Sequence, residues 1–255
     1  MKVRQTGTMI RKRRQTMSHL ALVWVLGFTL LFGTATTVPS ASDEASSTAV
    51  GSITTDGEQL TQYRALRRMH VRSDRLNQEG WLNAWTELDE NGFRYTIVDE
   101  RGSEYVRDKV MKALLKREQE LIADGQAGRA ALTEANYEFT EGAERDDGLR
   151  YVTIKPKRKD VTLVDGHMVL SANDGELLRV EGKLAKNPSF WTSLVNIVRR
   201  FAKIDGVQVP VSTESIAKVK FAGQSRLDVT YEYESINGRP VSSQGRLILA
   251  SGATR

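Results

Sequence analysis

Histidine is scarce in these 255 residues: His19, His70 and His167 are the only three. Acyl-transfer catalysis of the Ser-His-Asp kind needs a histidine within reach of a serine on a sharp turn. The flanks RRMHVRS and VDGHMVL contain no such turn, so His70 and His167 read as strand surface residues. Cysteine is absent, which excludes a thiol nucleophile, a thiolate metal site, a disulfide framework and lipid attachment through an N-terminal cysteine. Carboxylates are plentiful, and two facing each other would suit glycoside hydrolysis. Most of the conspicuous ones precede glycine, at Asp147-Gly148, Asp165-Gly166, Asp174-Gly175 and Asp205-Gly206, where an Asp side chain bonds its own local backbone in a turn. No calcium loop, phosphate-cradling glycine loop or dinucleotide fingerprint occurs. The residue types thus predict no catalytic residue, no metal and no cofactor.

Two basic clusters stand out. Arg64, Arg67, Arg68 and Arg72 form one, and Lys155, Lys157, Arg158 and Lys159 the other. The second, KPKRK, could touch anionic headgroups or an acidic partner, each charge near a membrane surface contributing about 1 kcal/mol; the plainer reading is a solvated strand end before a hairpin. The formal charge of +5 and pI of about 9.4 are unevenly placed. Residues 1–42 hold six basic side chains and no acid. Taking those six from the 37 basic residues leaves 31 against 32 acidic ones, a net −1 for residues 43–255. The electrostatic case for a nucleic-acid partner goes with them.

Those 42 residues have the layout of a secretory signal: basic side chains to Arg14, an apolar run from Leu20 to Phe32, then small residues. Cleavage fits best after Ser40 or Ser42, and Ala35 crowds the apolar run. An uncleaved anchor is the competing reading, although a spanning helix needs about 20 apolar residues. Arg13-Arg14 also permits twin-arginine export. The expected location is the periplasm, with peripheral membrane contact possible.

Residues 43–58 are too poor in large apolar side chains to order and read as a flexible lead; residues 59–255 read as a single domain. Within it Tyr63–Ser73, Trp81–Glu90 and Phe93–Asp99 have strand character, the last two joined by Asn91-Gly92, a tight-hairpin signal. Residues 103–124 switch to helical period, with Val106, Val110, Leu114, Arg117 and Leu121 on one stripe, Ser103 as cap and Gly125 as stop. Residues 126–134 add at most a turn or two. Strand patterning then returns at Leu149–Lys155, Val161–Leu163, His167–Ser171, Leu177–Leu184, Val207–Val211, Ala217–Phe221, Leu227–Ile236 and Gly245–Ala250. Trp191–Ile204 fits helix or strand and favours strand. Short turns require mostly antiparallel neighbours. The fold class is therefore α+β, mainly antiparallel β: a strongly curved half-barrel sheet covered by one long helix.

Two strands look apolar on both faces. Trp81 and Trp85 oppose Leu82, Ala84 and Leu88; Val195, Ile197 and Phe201 oppose Leu194, Val198 and Ala202. A sheet with one wet face does not need this, so a helix, partner or ligand must cover the second face. The candidate ligand cavity is lined by Trp81, Trp85, Val195, Ile197 and Phe201, with Val110 and Leu114 from the covering helix.

The segments LLRVEGKLAKNPSFW from Leu177, RFAKIDGVQVPV from Arg200 and DVTYEYESINGRPV from Asp228 resemble the LolA-like group of periplasmic proteins, the outer-membrane lipoprotein-sorting carriers and their relatives. The resemblance covers about the C-terminal third. It implies a curved antiparallel half-barrel closed by helices around an apolar cavity for acyl chains, and it brings no enzymatic motif. The expected function is an exported soluble envelope protein that binds an acyl chain, lipid or lipidated protein. The alternative is a non-catalytic interaction or sensor module that docks an envelope protein.

Overall fold

The computed structural model describes residues 58–252 apart from Leu76, 145–147, Trp191 and 221–222. The segment expected to be a secretory signal, the cleavage sites expected in it and the expected flexible lead up to residue 57 lie outside the described residues.

The described residues form one antiparallel sheet of eleven strands. Its strands are β1 (Tyr63–Ser73), β2 (Gln78–Asp89), β3 (Gly92–Gly102), β4 (Tyr137–Glu144), β5 (Leu149–Pro156), β6 (Val164–Ser171), β7 (Leu177–Leu184), β8 (Thr192–Ile204), β9 (Val207–Val219), β10 (Gly223–Ile236) and the two-residue β11 (Arg239–Pro240). The spatial order is β3-β2-β1-β10-β9-β8-β7-β6-β5-β4, with β11 on the end of β10. Two meanders, β1–β3 and β4–β10, thus meet where β10 pairs with β1. The sheet is not closed, and β3 and β4 are its two edges.

The segment that joins those edges contains the long helix, in three consecutive parts: Glu104–Val106, a π-helical stretch Arg107–Lys112, and Ala113–Ala123. Ser103 caps it by accepting a hydrogen bond from the Val106 N–H, which satisfies one of the donors a helix start leaves orphaned. Gly125 ends it with φ +65°, the left-handed conformation glycine adopts without steric cost. Its buried residues are Val106, Val110, Met111, Leu114, Leu115, Glu118 and Leu121. A π-turn inserts an extra residue and shifts the phase of every later position in the helix. Position 118 therefore faces the sheet, not Arg117, which the sequence places on the stripe; Arg117 is half-buried and pairs with Glu120.

Alternation along β1 and β10 sorts side chains cleanly between two faces. Tyr63, Ala65, Arg67, Met69, Val71 and Leu227, Val229, Tyr233 are buried on the inner face, against the helix. The strands are bent by register shifts at Arg64/Ala65, Asn83/Ala84, Val169/Leu170 and Arg200/Phe201, since a bulge coils its strand locally.

Several sequence expectations change. Asp165-Gly166 is no turn: it lies within β6, where Gly166 pairs with Gly182. A Cβ on Gly166 would stand 2.0 Å from the Glu181 carbonyl oxygen, so glycine here permits close backbone approach. Val161–Leu163 precedes β6 and is not a strand. Val207–Val211 and Ala217–Val219 belong to one strand, β9, which contains Pro210. The β9–β10 pairing stops at Ser212↔Thr230, so proline's missing N–H costs no bond on that side. Gly245–Ala250 lies in a C-terminal helix, Ser243–Gly252, not in a strand. Ser242 caps that helix toward Gly245 and is itself held by the Asp205 carboxylate. Trp191–Ile204 is confirmed as strand from Thr192 onward. No helix among the described residues is long and apolar enough to cross a membrane.

Candidate functional site

The site is the layer between the inner sheet face and the long helix. Its apolar part joins Val106, Val110, Met111, Leu114 and Leu115 to Ala65, Met69, Leu82, Ala84, Phe93, Ile197, Leu227 and Val229 in one buried cluster. Set into it is one buried ion pair. The Arg67 guanidinium donates to both Glu118 carboxylate oxygens at 2.6 and 3.1 Å, and also to the Tyr63 hydroxyl at 3.3 Å. Both side chains are almost wholly buried, at 3% and 2% exposure. Burial disfavours the Arg67 charge, but Glu118, Tyr231 and Tyr63 outweigh it and hold the guanidinium well above its ordinary pKa. Burial of Tyr63 and Tyr233 pushes both phenols up, so they stay neutral.

A second guanidinium, Arg199 on β8, is 3% exposed and donates from Nε to Thr213 Oγ1 at 3.2 Å. Burial lowers its pKa to about 10, and the Arg67 charge acts in the same direction. A small cavity of about 20 Å³ lies among Arg67, Glu118, Arg199, Thr213, Tyr231 and the apolar Leu114, Ile197, Leu227 and Val229. That volume matches roughly one water molecule.

The two ends of the helix are held differently. After it, Asp160 accepts hydrogen bonds from the Thr162 N–H and hydroxyl at 3.0 Å and from Arg129 at 2.5 Å. Arg158 reaches the same carboxylate at 3.4 Å, and the Asn136 amide oxygen at 2.6 Å. Burial opposes the Asp160 charge, but the Arg129 and Thr162 bonds lower its pKa to about 2. In the basic run Lys155–Lys159, Arg158 is therefore a structural clamp, while Lys155, Lys157 and Lys159 are exposed. At the start of the helix the ties run to β2 and β3: Ser103 donates from its N–H to the Glu79 carbonyl at 2.8 Å and from its hydroxyl to Gln78 at 3.2 Å, Arg107 and Lys112 pair with Glu100 at 2.7 and 2.9 Å, and Val106 packs on Gly80.

The predicted cavity residues separate into two groups. Val110, Leu114, Val195, Ile197 and Phe201 are buried on the inner side. Trp81 and Trp85 are on the opposite face of β2 from the buried Leu82 and Ala84 and do not join them. On that outer face Trp81 stacks on His70 with the rings nearly parallel and their centroids 4.8 Å apart, and Arg101 lies over the Trp81 ring at 4.8 Å. Arg64 lies 4.4 Å over Trp85. Arg101, directly across from Trp81 on β3, and Arg64, diagonal to Trp85 on β1, thus cover the second face of β2, and cation–π contact supplies what the sequence assigned to an apolar body. His70 also meets Glu79 at 2.7 Å. Arg67 and Glu118 escape sequence reasoning as site residues. The available signal was an arginine at an inward position of β1; the π-turn concealed its partner.

No family model matches the chain, and no curated protein matches it. Among solved structures, a DUF1329 family protein from Desulfovibrio piger is similar at a TM-score of 0.32 and 11% identity, covering 68% of this chain and 84% of that one. A likeness that loose carries no argument about function. Among the described residues no group of three or more His, Asp and Glu side chains is arranged to hold a metal ion.

Proposed function

We propose that this chain is an exported envelope carrier for an acyl chain, built on a LolA-like half-barrel whose long helix is a displaceable plug. One observation carries the reading. The helix runs between the two edges of an open sheet and fills its apolar inner face with Val110, Met111, Leu114 and Leu115, so withdrawing it would expose a continuous apolar groove. Acyl binding there is favourable by about 0.8 kcal/mol per buried CH₂. The ion pairs that Arg107 and Lys112 make with Glu100 at the N-terminal end are partly exposed, whereas the Asp160 carboxylate beyond the other end is buried, so the N-terminal end is the end that swings.

The absence of cysteine makes a direct test available. A Cβ on Gly80 would stand 3.5 Å from the Val106 Cβ, within the range for a disulfide. The variant Gly80→Cys/Val106→Cys should bind a fluorescent fatty-acid probe when reduced and lose most binding when oxidised. Equal binding in both states sinks the plug. No probe binding by the wild type, together with no copurifying lipid by mass spectrometry, sinks carriage altogether.

The 20 Å³ cavity favours a second reading, in which the core stays filled and the domain docks an envelope protein without opening. Its signature is a stapled protein that keeps its partner. N-terminal sequencing of the exported protein tests cleavage near Ser40 or Ser42.

A further inference from the structure

Arg67 is the feature that acyl carriage by itself does not explain. A guanidinium at 3% side-chain exposure in an apolar layer is costly, and a groove meant only for hydrocarbon has no use for it. Arginine cannot escape the cost by losing its proton. In the closed protein Glu118 neutralises it through two hydrogen bonds. Glu118 sits on the helix and Arg67 on the sheet, so lifting the helix separates the pair. Arg67 would then remain on the groove floor, with Met69 beside it on the same face and Arg199 lining the same cavity. Even in the closed state the buried Arg67 Nε makes no hydrogen bond among the described residues, so one donor of the guanidinium is unused.

We infer that the ligand is an amphiphile with an anionic head on its acyl chain, and that the head takes the place of Glu118 on Arg67. This rests on the carrier reading above. The Glu118 carboxylate is an internal surrogate for the ligand's anion: it marks where two oxygens accept from the guanidinium, in the two-pronged geometry that arginine offers carboxylates and phosphates. The apolar helix residues Leu114 and Leu115 mark where the chain lies. A neutral amphiphile of equal length would displace the helix and leave Arg67 unpaired, so it is selected against by the same desolvation that makes the closed pair tight.

The test is a calorimetric titration of the wild-type protein with dodecanoate, dodecyl phosphate and dodecanol, below their aggregation limits. The acid and the phosphate should bind about ten to a hundredfold tighter than the alcohol, the range expected for charged hydrogen bonds. Their order tells a free fatty acid from a phosphate-headed lipid. In the variant Arg67→Met/Glu118→Leu, which keeps an apolar layer, that preference should collapse while dodecanol binding persists. Equal affinity of acid, phosphate and alcohol for the wild type overturns the anionic head and leaves acyl carriage standing. Preference retained in the double variant overturns the role of Arg67. Binding of none of the three overturns the carrier reading and the inference with it.

Discussion

Strand β1 carries arginines on both faces, and the two faces give one residue type opposite roles. Outward, Arg64 pairs with Glu87 and Glu234, and Arg68 with Glu232, with every side chain more than one-third exposed. Water screens those pairs, and each contributes little. Inward, Arg67 meets Glu118 with both side chains dry. There the attraction is strong but the cost of desolvation is of the same order. The outer ladder is interchangeable surface; the inner pair is a commitment that exists only while helix and sheet are together. A side chain's chemistry is thus set less by its type than by which side of a pleat it occupies.

The largest test of that contrast is to break the inner pair from one side. Glu118→Ala should cost about 3–5 kcal/mol in urea unfolding, because Arg67 is left buried and uncompensated. Replacing both partners, Arg67→Met/Glu118→Leu, should bring stability back to the wild-type value or above it by about 1–4 kcal/mol. A double variant as unstable as the single one would break the comparison, since desolvation would then not be the governing cost. Asp160 lies between the two extremes, its side chain 6% exposed while its partner Arg129 is half exposed. Asp160→Asn should cost about 2 kcal/mol at neutral pH. The Asp160 pKa is depressed to about 2 in the folded protein, below the unfolded value of about 3.9. Its stabilisation is therefore complete above about pH 4 and lost as pH falls toward about 2. An acid-unfolding curve that is not flatter in Asp160→Asn across that window would contradict the assignment. Smallest is Arg68→Ala, expected to change stability by about 0.5 kcal/mol or less, an effect that 1 M salt removes; the Glu118→Ala cost should survive the same salt.

Much of the frame was legible. The bounds of β1 and β7 coincide with the sequence reading, because alternation and flanking turn residues act locally. The Asp205-Gly206 and Asn237-Gly238 hairpins form for the same reason: all four residues have positive φ, at +50°, +86°, +48° and +75°, which such pairs adopt readily. Asp165-Gly166 failed because an Asp-Gly pair signals special backbone need without saying whether the need is a turn or a neighbouring strand's approach. Leu247 and Ile248 were placed in a strand, but Ser242 and Asp205, distant in sequence, start a helix there.

Of the site, sequence alone determined that one helix and an antiparallel sheet would bury Val110, Leu114, Val195, Ile197 and Phe201, since hydrophobic period specifies which residues must leave water. It also determined the chemistry that cysteine and histidine do not provide. Only the tertiary structure decided the two facts on which the functional reading turns. A π-turn moved Glu118 into the place expected of Arg117, and side-chain period cannot register an added residue per turn. Pairing across β1, β2 and β3 laid cations over Trp81 and Trp85 on the outer face, while Arg67, three positions from Arg64, was turned inward onto Glu118, 51 residues away. Contacts at that separation depend on strand order and helix placement, which no local window contains.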